Sequence, residues 1–332
     1  MNQPSMTIRV LITLLISLAL HSMSAAANPA GYLLATFSGP KSSPEEQIYF
    51  EISGDGRKWK ALNEGKPVLV SDIGEKGVRD PFLIRSPDGK RIFLIATDLA
   101  THLKPGWKRA VTVGSQSIVV WESTDLVTWS APRLVKVAPA DAGCTWAPEA
   151  SYDEKAGDYL VYWASATRRD NFAKQRIWAA RTKDFINFGE PFIYIEREHS
   201  VIDTTIVRDG SRYYRFSKHE DNRAIFLETS ESLLGKWTDI PGFLLQNERG
   251  YEGPACFALN PASEGGAKTW VLFLDYYAKG IGYTGFVTHD IASGKFVPDA
   301  GFSFPFKTPH GSILSISMDE AARLKSTYGV EE

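Results

Sequence analysis

The sequence has few of the residues that would tie it to a disulfide-built fold or to a strongly charged partner. Only two of its 332 residues are cysteine, and its formal net charge is -2. A chain of this length needs no disulfide staple, so we expect Cys144 and Cys256 to be free thiols, although an oxidising compartment would permit a disulfide. The small net charge excludes an electrostatic reason to bind nucleic acid or an anionic membrane. No feature of the sequence indicates an oligomeric state.

Long apolar runs are also scarce, and the one that stands out lies at the N-terminus. Arg9 precedes an apolar stretch over residues 10–20, and three alanines at 25–27 form a small-residue cleavage site. This order is typical of a secretory signal peptide, and the apolar run is too short to span a bilayer comfortably. We therefore predict a signal peptide at 1–27 and a periplasmic or secreted mature protein without a membrane segment. No cysteine lies near the run to carry a lipid anchor.

Aromatic residues, in contrast, are abundant at 12% of the chain, and five of them end copies of one repeated signature. The signature is a short β-rich run, then Ser or Thr, a spacer that usually contains Asp, and an aromatic residue. Such a run before a polar turn predicts two antiparallel strands joined by a tight turn. The five copies end at Trp59, Trp129, Phe188, Trp237 and Phe296.

Two further series of strand-like segments accompany these copies. One series is RDPFLIRS, WAPEASYD, IDTTIVRD, EGPACFAL and HGSILSIS, and the other is YLLATFSG, RIFLIATDL, DYLVYWASA, RYYRFSK and TWVLFLDYY. With a weaker strand after each aromatic residue, the chain contains five units of four antiparallel strands, which is the repeat of a β-propeller. HGSILSIS lacks a following strand and YLLATFSG lacks a preceding one, so we predict that these two segments pair.

We therefore predict an all-β protein that forms a single five-bladed β-propeller over residues 28–332. Its fifth blade would be closed by N-terminal strands together with the C-terminal inner strand. The alternative is a β-sandwich of many short strands, which would not explain five copies with complementary ends. After Ser317 we expect a short terminal helix, capped by Asp319.

The first strand of each unit would line the central funnel, and all five would begin at the same face. Carboxylates gathered in such a concave mouth repel one another and raise at least one pKa, which yields an ionised base beside a protonated acid. Hydrolysis of a glycosidic bond requires such a pair. Structural salt bridges would explain any one acid alone, but less easily three at equivalent positions of a repeat. The five strands begin near Asp80, Trp146, Asp203, Glu252 and His310.

Taken in order, these motifs resemble those of glycoside hydrolase family 43 over the whole mature chain. The motifs are Arg-Asp-Pro at 79–81, Trp-Ala-Pro-Glu at 146–149, Ile-Asp at 202–203, Glu-Gly-Pro at 252–254 and His-Gly-Ser at 310–312. The resemblance implies that Asp80 is the general base, that Glu252 is the general acid, and that Asp203 orients the acid and tunes its pKa. Thr204 departs from the family pattern, in which proline often follows this aspartate.

Several further side chains are candidates for substrate or ion binding. Trp146 would form part of a platform for the sugar ring or pack as a core aromatic between blades, and Trp107 would wall one side of the mouth. Arg79 and Glu149 would bond sugar hydroxyls or pair with neighbouring charges. His310 would lie near a central water or ion, such as a structural calcium ion. One histidine supplies too few ligands for a catalytic metal, so we expect no required cofactor.

The implied activity is that of an inverting glycosidase that removes terminal α-L-arabinofuranose from plant cell-wall polysaccharides or oligosaccharides. The long loop of the first blade favours a closed pocket and therefore terminal cleavage. A β-D-xylosidase or an endo-arabinanase of the same family is the alternative within this class. A non-catalytic sugar-binding propeller is the alternative of another class, and it would have no reason to carry all three acids.

Overall fold

The computed structural model of the chain describes residues 31–38, 46–259 and 268–330. The predicted signal peptide and its cleavage site lie outside the described residues. Strands dominate the described chain. The first ten are β1 (Gly31–Ser38), β2 (Gln47–Ser53), β3 (Lys60–Ala61), β4 (Val78–Arg85), β5 (Ile92–Asp98), β6 (Ser117–Ser123), β7 (Arg133–Lys136), β8 (Trp146–Asp153), β9 (Asp158–Ala166) and β10 (Gln175–Thr182). The next ten are β11 (Phe192–Ile195), β12 (Val201–Asp209), β13 (Arg212–His219), β14 (Ala224–Ser230), β15 (Thr238–Asp239), β16 (Glu252–Leu259), β17 (Thr269–Asp275), β18 (Tyr283–Thr288), β19 (Val297–Pro298) and β20 (Gly311–Ile316).

The helices of the described chain are short. Helix α1 (Trp107–Thr112) lies in the loop after β5, and helix α2 (Met318–Tyr328) follows β20. Among the described residues, no helix has the length and apolar character needed to cross a membrane. Single 3-10 turns occur at Asn63–Gly65, Arg168–Asp170, Leu244–Asn247 and Ile291–Ser293.

The predicted terminal helix is confirmed as α2, but its predicted cap is wrong. Ser317, not Asp319, is the N-cap. The Ser317 hydroxyl accepts a hydrogen bond from the Glu320 backbone N–H at 3.2 Å, and the Glu320 carboxylate accepts one from the Ser317 N–H at 2.9 Å. This reciprocal capping box satisfies two backbone donors, so Asp319 is left in the first turn of the helix.

The strands form five antiparallel sheets of four strands each. Four sheets are consecutive in the chain, as blades β4–β7, β8–β11, β12–β15 and β16–β19. The fifth is β20-β1-β2-β3, in which β1 pairs with β20 from Gly31 opposite Ile316 to Thr36 opposite Gly311. The inner strands contact one another in the order β4, β8, β12, β16, β20 and back to β4. The predicted five-bladed propeller, closed by the two ends of the chain, is therefore confirmed.

An aspartate shapes the turn in three of the five copies of the repeated signature. In three copies the carboxylate Oδ1 accepts the backbone N–H groups two and three residues further along the chain, at 2.7–2.9 Å. Asparagine and aspartate favour turns because their short side chains can bond the backbone in this way. In the first blade, the aromatic residue also ties back to the turn, since Trp129 Nε1 donates to the Leu126 carbonyl at 3.0 Å. The three aspartates are Asp55, Asp125 and Asp184.

The apolar core lies between neighbouring blades. Phe93 of the first blade, for example, packs on Phe185 of the second with ring centroids 4.4 Å apart. The two cysteines are unpaired, Cys144 buried and Cys256 half-buried. Burial raises the pKa of the Cys144 thiol to about 11, so it is protonated and unreactive at neutral pH.

Candidate active site

Four of the inner strands begin with the same backbone irregularity. In β4, β8, β12 and β16 the antiparallel register shifts within the first five residues. Each strand has one residue in the left-handed region at this point, and a bulge of this kind re-aims side chains at a strand end. The four residues are Asp80, Ala147, Asp203 and Gly253, with φ of 50°, 45°, 49° and 56°. Left-handed backbone is costly for a non-glycine residue, so its recurrence around the funnel marks a functional site.

The bulges correct one expectation, that the three acids occupy equivalent positions. Asp80 and Asp203 are the left-handed residues of their strands, whereas Glu252 precedes the left-handed Gly253. Glu252 therefore corresponds to Arg79 and Trp146 in other blades, one residue nearer the mouth. Its side chain is 29% exposed, against 14% for the side chain of Asp80. Glycine is required after Glu252, since a Cβ at Gly253 would lie 2.6 Å from the Cβ of His310.

Asp80 is held as an ionised carboxylate. Its Oδ2 accepts a hydrogen bond from the Thr97 hydroxyl at 3.0 Å, and its Oδ1 lies 3.4 Å from His310 Nδ1. Burial acts to raise the pKa of Asp80, but the contact with His310, the charge of Arg79 and the Thr97 hydrogen bond lower it below its ordinary value. An ionised carboxylate in this place can accept a proton from water.

His310 supplies a positive charge at the centre of the site. Burial acts to lower the pKa of its imidazole, but the carboxylates of Asp80, Asp203 and Glu149 raise it to about 9. The ring is therefore protonated at neutral pH, and a protonated imidazole has no lone pair to offer a metal ion. Among the described residues, no group of three or more His, Cys, Asp or Glu is placed to hold a metal. A structural calcium ion near His310 stays a prediction, and the reaction proposed for this site does not require one.

Asp203 and Glu252 lie on neighbouring inner strands and are linked through the backbone. Asp203 Oδ2 accepts a hydrogen bond from the Gly253 N–H at 3.1 Å, which fixes the start of β16 against β12. Burial raises the pKa of Asp203, and the charge of Asp80 adds to this effect. Burial also raises the pKa of Glu252, with the charge of Asp203 adding to it and the charge of Lys218 opposing it. A carboxyl with a raised pKa can hold a proton for donation.

Glu149 lies deeper in the funnel than the other predicted site residues. Only 4% of the residue is exposed, and its Oε2 accepts from the Tyr162 hydroxyl at 3.4 Å. Burial raises the pKa of Glu149 to about 8, although the charge of His310 opposes this. The structure places Glu149 in the interior, beside the charge of His310. Its other predicted role, bonding a sugar hydroxyl, would need a place at the open mouth.

An aromatic wall borders the mouth above Asp80. Trp107, the first residue of α1, is 57% exposed and meets Trp146 edge to face with ring centroids 5.8 Å apart. The Arg79 guanidinium lies 4.1 Å from the centre of the Phe37 ring and 5.7 Å from that of Trp107. Arg79 also pairs with Glu46 at 2.7 Å, which was one of its two predicted roles. Exposed aromatic faces beside polar groups are typical of ligand-binding clefts.

Comparison with known proteins decides the family. A family model described as a probable glycosyl hydrolase domain, related to glycoside hydrolase family 43, matches residues 28–322. The chain belongs to this family. The resemblance found in its motifs is thereby confirmed over nearly all of the predicted propeller.

Two solved structures and one curated protein are similar to this glycosyl hydrolase domain. The curated protein is an α-L-arabinofuranosidase of Bifidobacterium longum, 30% identical over 83% of the chain. The chain spans 29% of that protein's length. A mutant of the family-43 protein BlXynB from Bacillus licheniformis is 16% identical with a TM-score of 0.50, over 74% of this chain and 48% of its own. A thermostable family-43 glycoside hydrolase is 18% identical with a TM-score of 0.48, over 70% and 75%.

Three site residues of the glycosyl hydrolase domain were missed by sequence reasoning. Thr97, Lys218 and Asp275 all lie at the ends of second strands, where the antiparallel register brings them beside inner-strand starts. Thr97 also accepts from the Ala147 N–H at 2.7 Å, so it connects two blades. The available signal was a lysine at the end of RYYRFSK and an aspartate at the end of the mostly apolar run TWVLFLD.

We expect the free energy of unfolding of this domain to fall as the pH rises from 6.5 to 9. The folded pKa of His310 is about 9, above the unfolded value of about 6.5. The stability from its protonated form is therefore complete below pH 6.5 and is lost as the pH rises through 9, a loss of about 3 kcal/mol. Urea unfolding at the two pH values measures the difference, and a constant or rising stability would contradict it.

Glu51 provides a matched variant for this measurement, away from the funnel mouth. Burial raises the pKa of Glu51 to about 8, and its Oε1 accepts from the Thr308 hydroxyl at 2.5 Å. Because the folded form holds a proton that the unfolded chain has released, Glu51 also lowers stability as the pH rises towards 8. Glu51→Gln cannot titrate, so we expect it to reduce the fall in stability while leaving the contribution of His310.

Proposed function

We propose that this domain is an inverting, exo-acting glycosidase that removes terminal α-L-arabinofuranose, with Asp80 as general base and Glu252 as general acid. One observation carries the proposal: two carboxyls of the same funnel have pKa values pushed in opposite directions. The pKa of Asp80 is lowered, chiefly because His310 outweighs its burial, and that of Glu252 is raised by burial and Asp203. Such a divided pair matches the requirement of glycoside hydrolysis for one base and one acid.

The proposed reaction is a single displacement at the anomeric carbon. Asp80 takes a proton from a water molecule, whose oxygen forms a new bond to that carbon. The glycosidic C–O bond breaks, and the departing oxygen takes the proton of Glu252. Asp80 ends protonated and Glu252 ionised, so the two exchange protons with solvent before the next cycle. Asp203, hydrogen-bonded to the Gly253 N–H, holds the start of β16 and favours the protonated acid.

The mouth supplies the groups that would bind the sugar. We assign the exposed face of Trp107, with Trp146 beside it, to the sugar platform, since a flat apolar ring can cover the C–H face of a pentose. Arg79 lies against this wall and, with its charge already balanced by Glu46, can still donate to a hydroxyl.

The preference for arabinofuranose rests on the curated relative, an α-L-arabinofuranosidase 30% identical to this chain. Plant cell-wall polysaccharide as the source of that sugar, and export through the N-terminal segment 1–27, are parts of the same proposal. Export would bring the enzyme to polymers too large to enter a cell.

The test is hydrolysis of nitrophenyl α-L-arabinofuranoside and nitrophenyl β-D-xyloside by the purified chain. We expect faster release from the arabinofuranoside, and early proton NMR spectra should show the inverted sugar anomer. Faster release from the xyloside would make β-D-xylose, rather than α-L-arabinofuranose, the proposed sugar. A retained anomer would overturn the roles of Asp80 and Glu252. Binding of arabinose without turnover of either glycoside would favour the non-catalytic sugar-binding propeller.

A further inference from the structure

Lys218 is a buried cation aimed at the proposed acid. It lies near the end of β13, only 2% of its side chain is exposed, and its Nζ is 2.8 Å from Glu252 Oε2. The same Nζ lies 2.6 Å from Glu220 Oε2, in an ion pair at the edge of the mouth, and 4.6 Å from the centre of the Tyr277 ring. A lysine side chain is rarely this buried unless its charge is paired, because removing an ammonium from water is costly.

The other charged groups around Glu252 come from each element packed against it. Asp203 lies on β12, His310 directly before β20, and Asp275 stands opposite Glu252 in the register of β16 and β17. Tyr277 follows β17, and the charges of Lys218 and Glu252 act on the pKa of its hydroxyl in opposite directions. Asp275 is 5% exposed, and its Oδ1 has no hydrogen-bond partner within the part of the chain that the structure describes. Lys218 makes the direct contact with the acid, whereas His310 interacts with it only through its charge.

We propose that Lys218 is a positioning residue that stabilises the carboxylate formed as Glu252 gives up its proton, and that it thereby sets the upper pH limit of the acid. The inference rests on the proposed function of Glu252. As the glycosidic bond breaks, negative charge appears on Glu252 within hydrogen-bond distance of a fixed ammonium. A charge placed in advance where charge develops stabilises the transition state without reorganisation.

The position of Lys218 is a compromise, because the same ammonium also favours the ionised form of the resting acid. Burial and Asp203 act the other way and keep the pKa of Glu252 raised. Glu220, whose side chain is 42% exposed, shares the ammonium and weakens its hold on Glu252. Removal of the charge of Lys218 and removal of the charge of Glu220 are therefore expected to shift the pKa of Glu252 in opposite directions.

The first test replaces Lys218 with methionine, whose unbranched side chain is one atom shorter and carries no charge. We expect the pKa of Glu252 to rise by about one unit or more, as for loss of an opposite charge in contact. Carbon-13 NMR of labelled glutamate carboxyls measures this pKa without substrate, with the Glu252 signal assigned by its absence in Glu252→Gln. The alkaline limb of the pH profile of kcat should move upward by the same amount.

Lys218→Met should also slow the hydrolysis of substrates whose leaving group must receive a proton. We expect kcat to fall about tenfold or more for glycosides with poor leaving groups and less for nitrophenyl glycosides, whose leaving group needs less protonation. Lys218→Arg restores the charge and should return the pKa of Glu252 and the alkaline limb towards those of the unmodified protein.

Glu220→Gln is the second test, and it serves if Lys218→Met does not fold. With its competing carboxylate gone, Lys218 should interact more strongly with Glu252, so the pKa of the acid and the alkaline limb should move downward. A folded Lys218→Met protein with an unchanged Glu252 pKa overturns the inference, as does a Glu220→Gln protein with an unchanged or raised one. Failure of the proposed function would show separately, as absence of hydrolysis by the unmodified protein while the NMR titration still reports the contact.

Discussion

Glu252→Gln is expected to lower kcat/KM for arabinofuranosides with poor leaving groups by about 100- to 10,000-fold, the usual contribution of general acid catalysis. Glutamine keeps the size of the side chain and can still contact Lys218 through its amide oxygen, but it has no acidic proton to transfer. The loss should shrink for dinitrophenyl glycosides, whose leaving group departs without protonation. Initial rates across a series of aryl glycosides of increasing leaving-group pKa measure this dependence.

The control for this variant is Glu231→Gln, which makes the same chemical change on a side chain 85% exposed at the turn after β14. We expect it to keep the activity and the leaving-group dependence of the unmodified protein. If Glu252→Gln retained full activity towards poor leaving groups, Glu252 would not be the acid. If it lost activity equally for all leaving groups, its role would be binding or structural.

Asp80→Asn is the second large expected effect, with a loss of about 100- to 10,000-fold in kcat/KM that does not depend on the leaving group. An amide cannot accept a proton from water, so the attack at the anomeric carbon slows for every substrate. The substitution also removes the carboxylate 3.4 Å from His310, so the pKa of the imidazole should fall. The same aryl glycoside series and an NMR titration of the His310 ring measure the two effects.

Removing one partner of a buried charge pair can destabilise a protein by about 3 to 5 kcal/mol, so folding of Asp80→Asn must be checked by its thermal midpoint. His310 keeps Asp203 and Glu149 as neighbouring carboxyls, and for this reason we expect the variant to fold. Asp72→Asn, on an exposed residue shortly before β4, is the matched control and should remain fully active. Full activity in folded Asp80→Asn would remove Asp80 as the base.

Local sequence patterns predict one part of the candidate site and miss another. The starts of the five inner strands could be predicted because each follows from its own repeat unit, and Asp80, Asp203, Glu252 and His310 do lie around one funnel. The offset of Glu252 could not be predicted, since it depends on which residue of each bulge adopts the left-handed conformation. Lys218 was missed because it contacts Glu252 of the neighbouring blade, and Asp275 because it meets Glu252 through strand register; neither contact follows from sequence spacing.

The sequence alone was sufficient for the architecture, because alternating apolar residues and closing aromatics are short-range signals that recur in all five units. A turn aspartate accompanies them in four of the five. The sequence was also sufficient for the pairing of the chain ends, since each end holds the part of a blade that the other lacks. The charge states needed the folded molecule. Whether Asp80 is ionised, His310 protonated and Glu252 able to hold a proton depends on burial and on ions from other blades, and electrostatic energy follows distance in space, not distance along the chain.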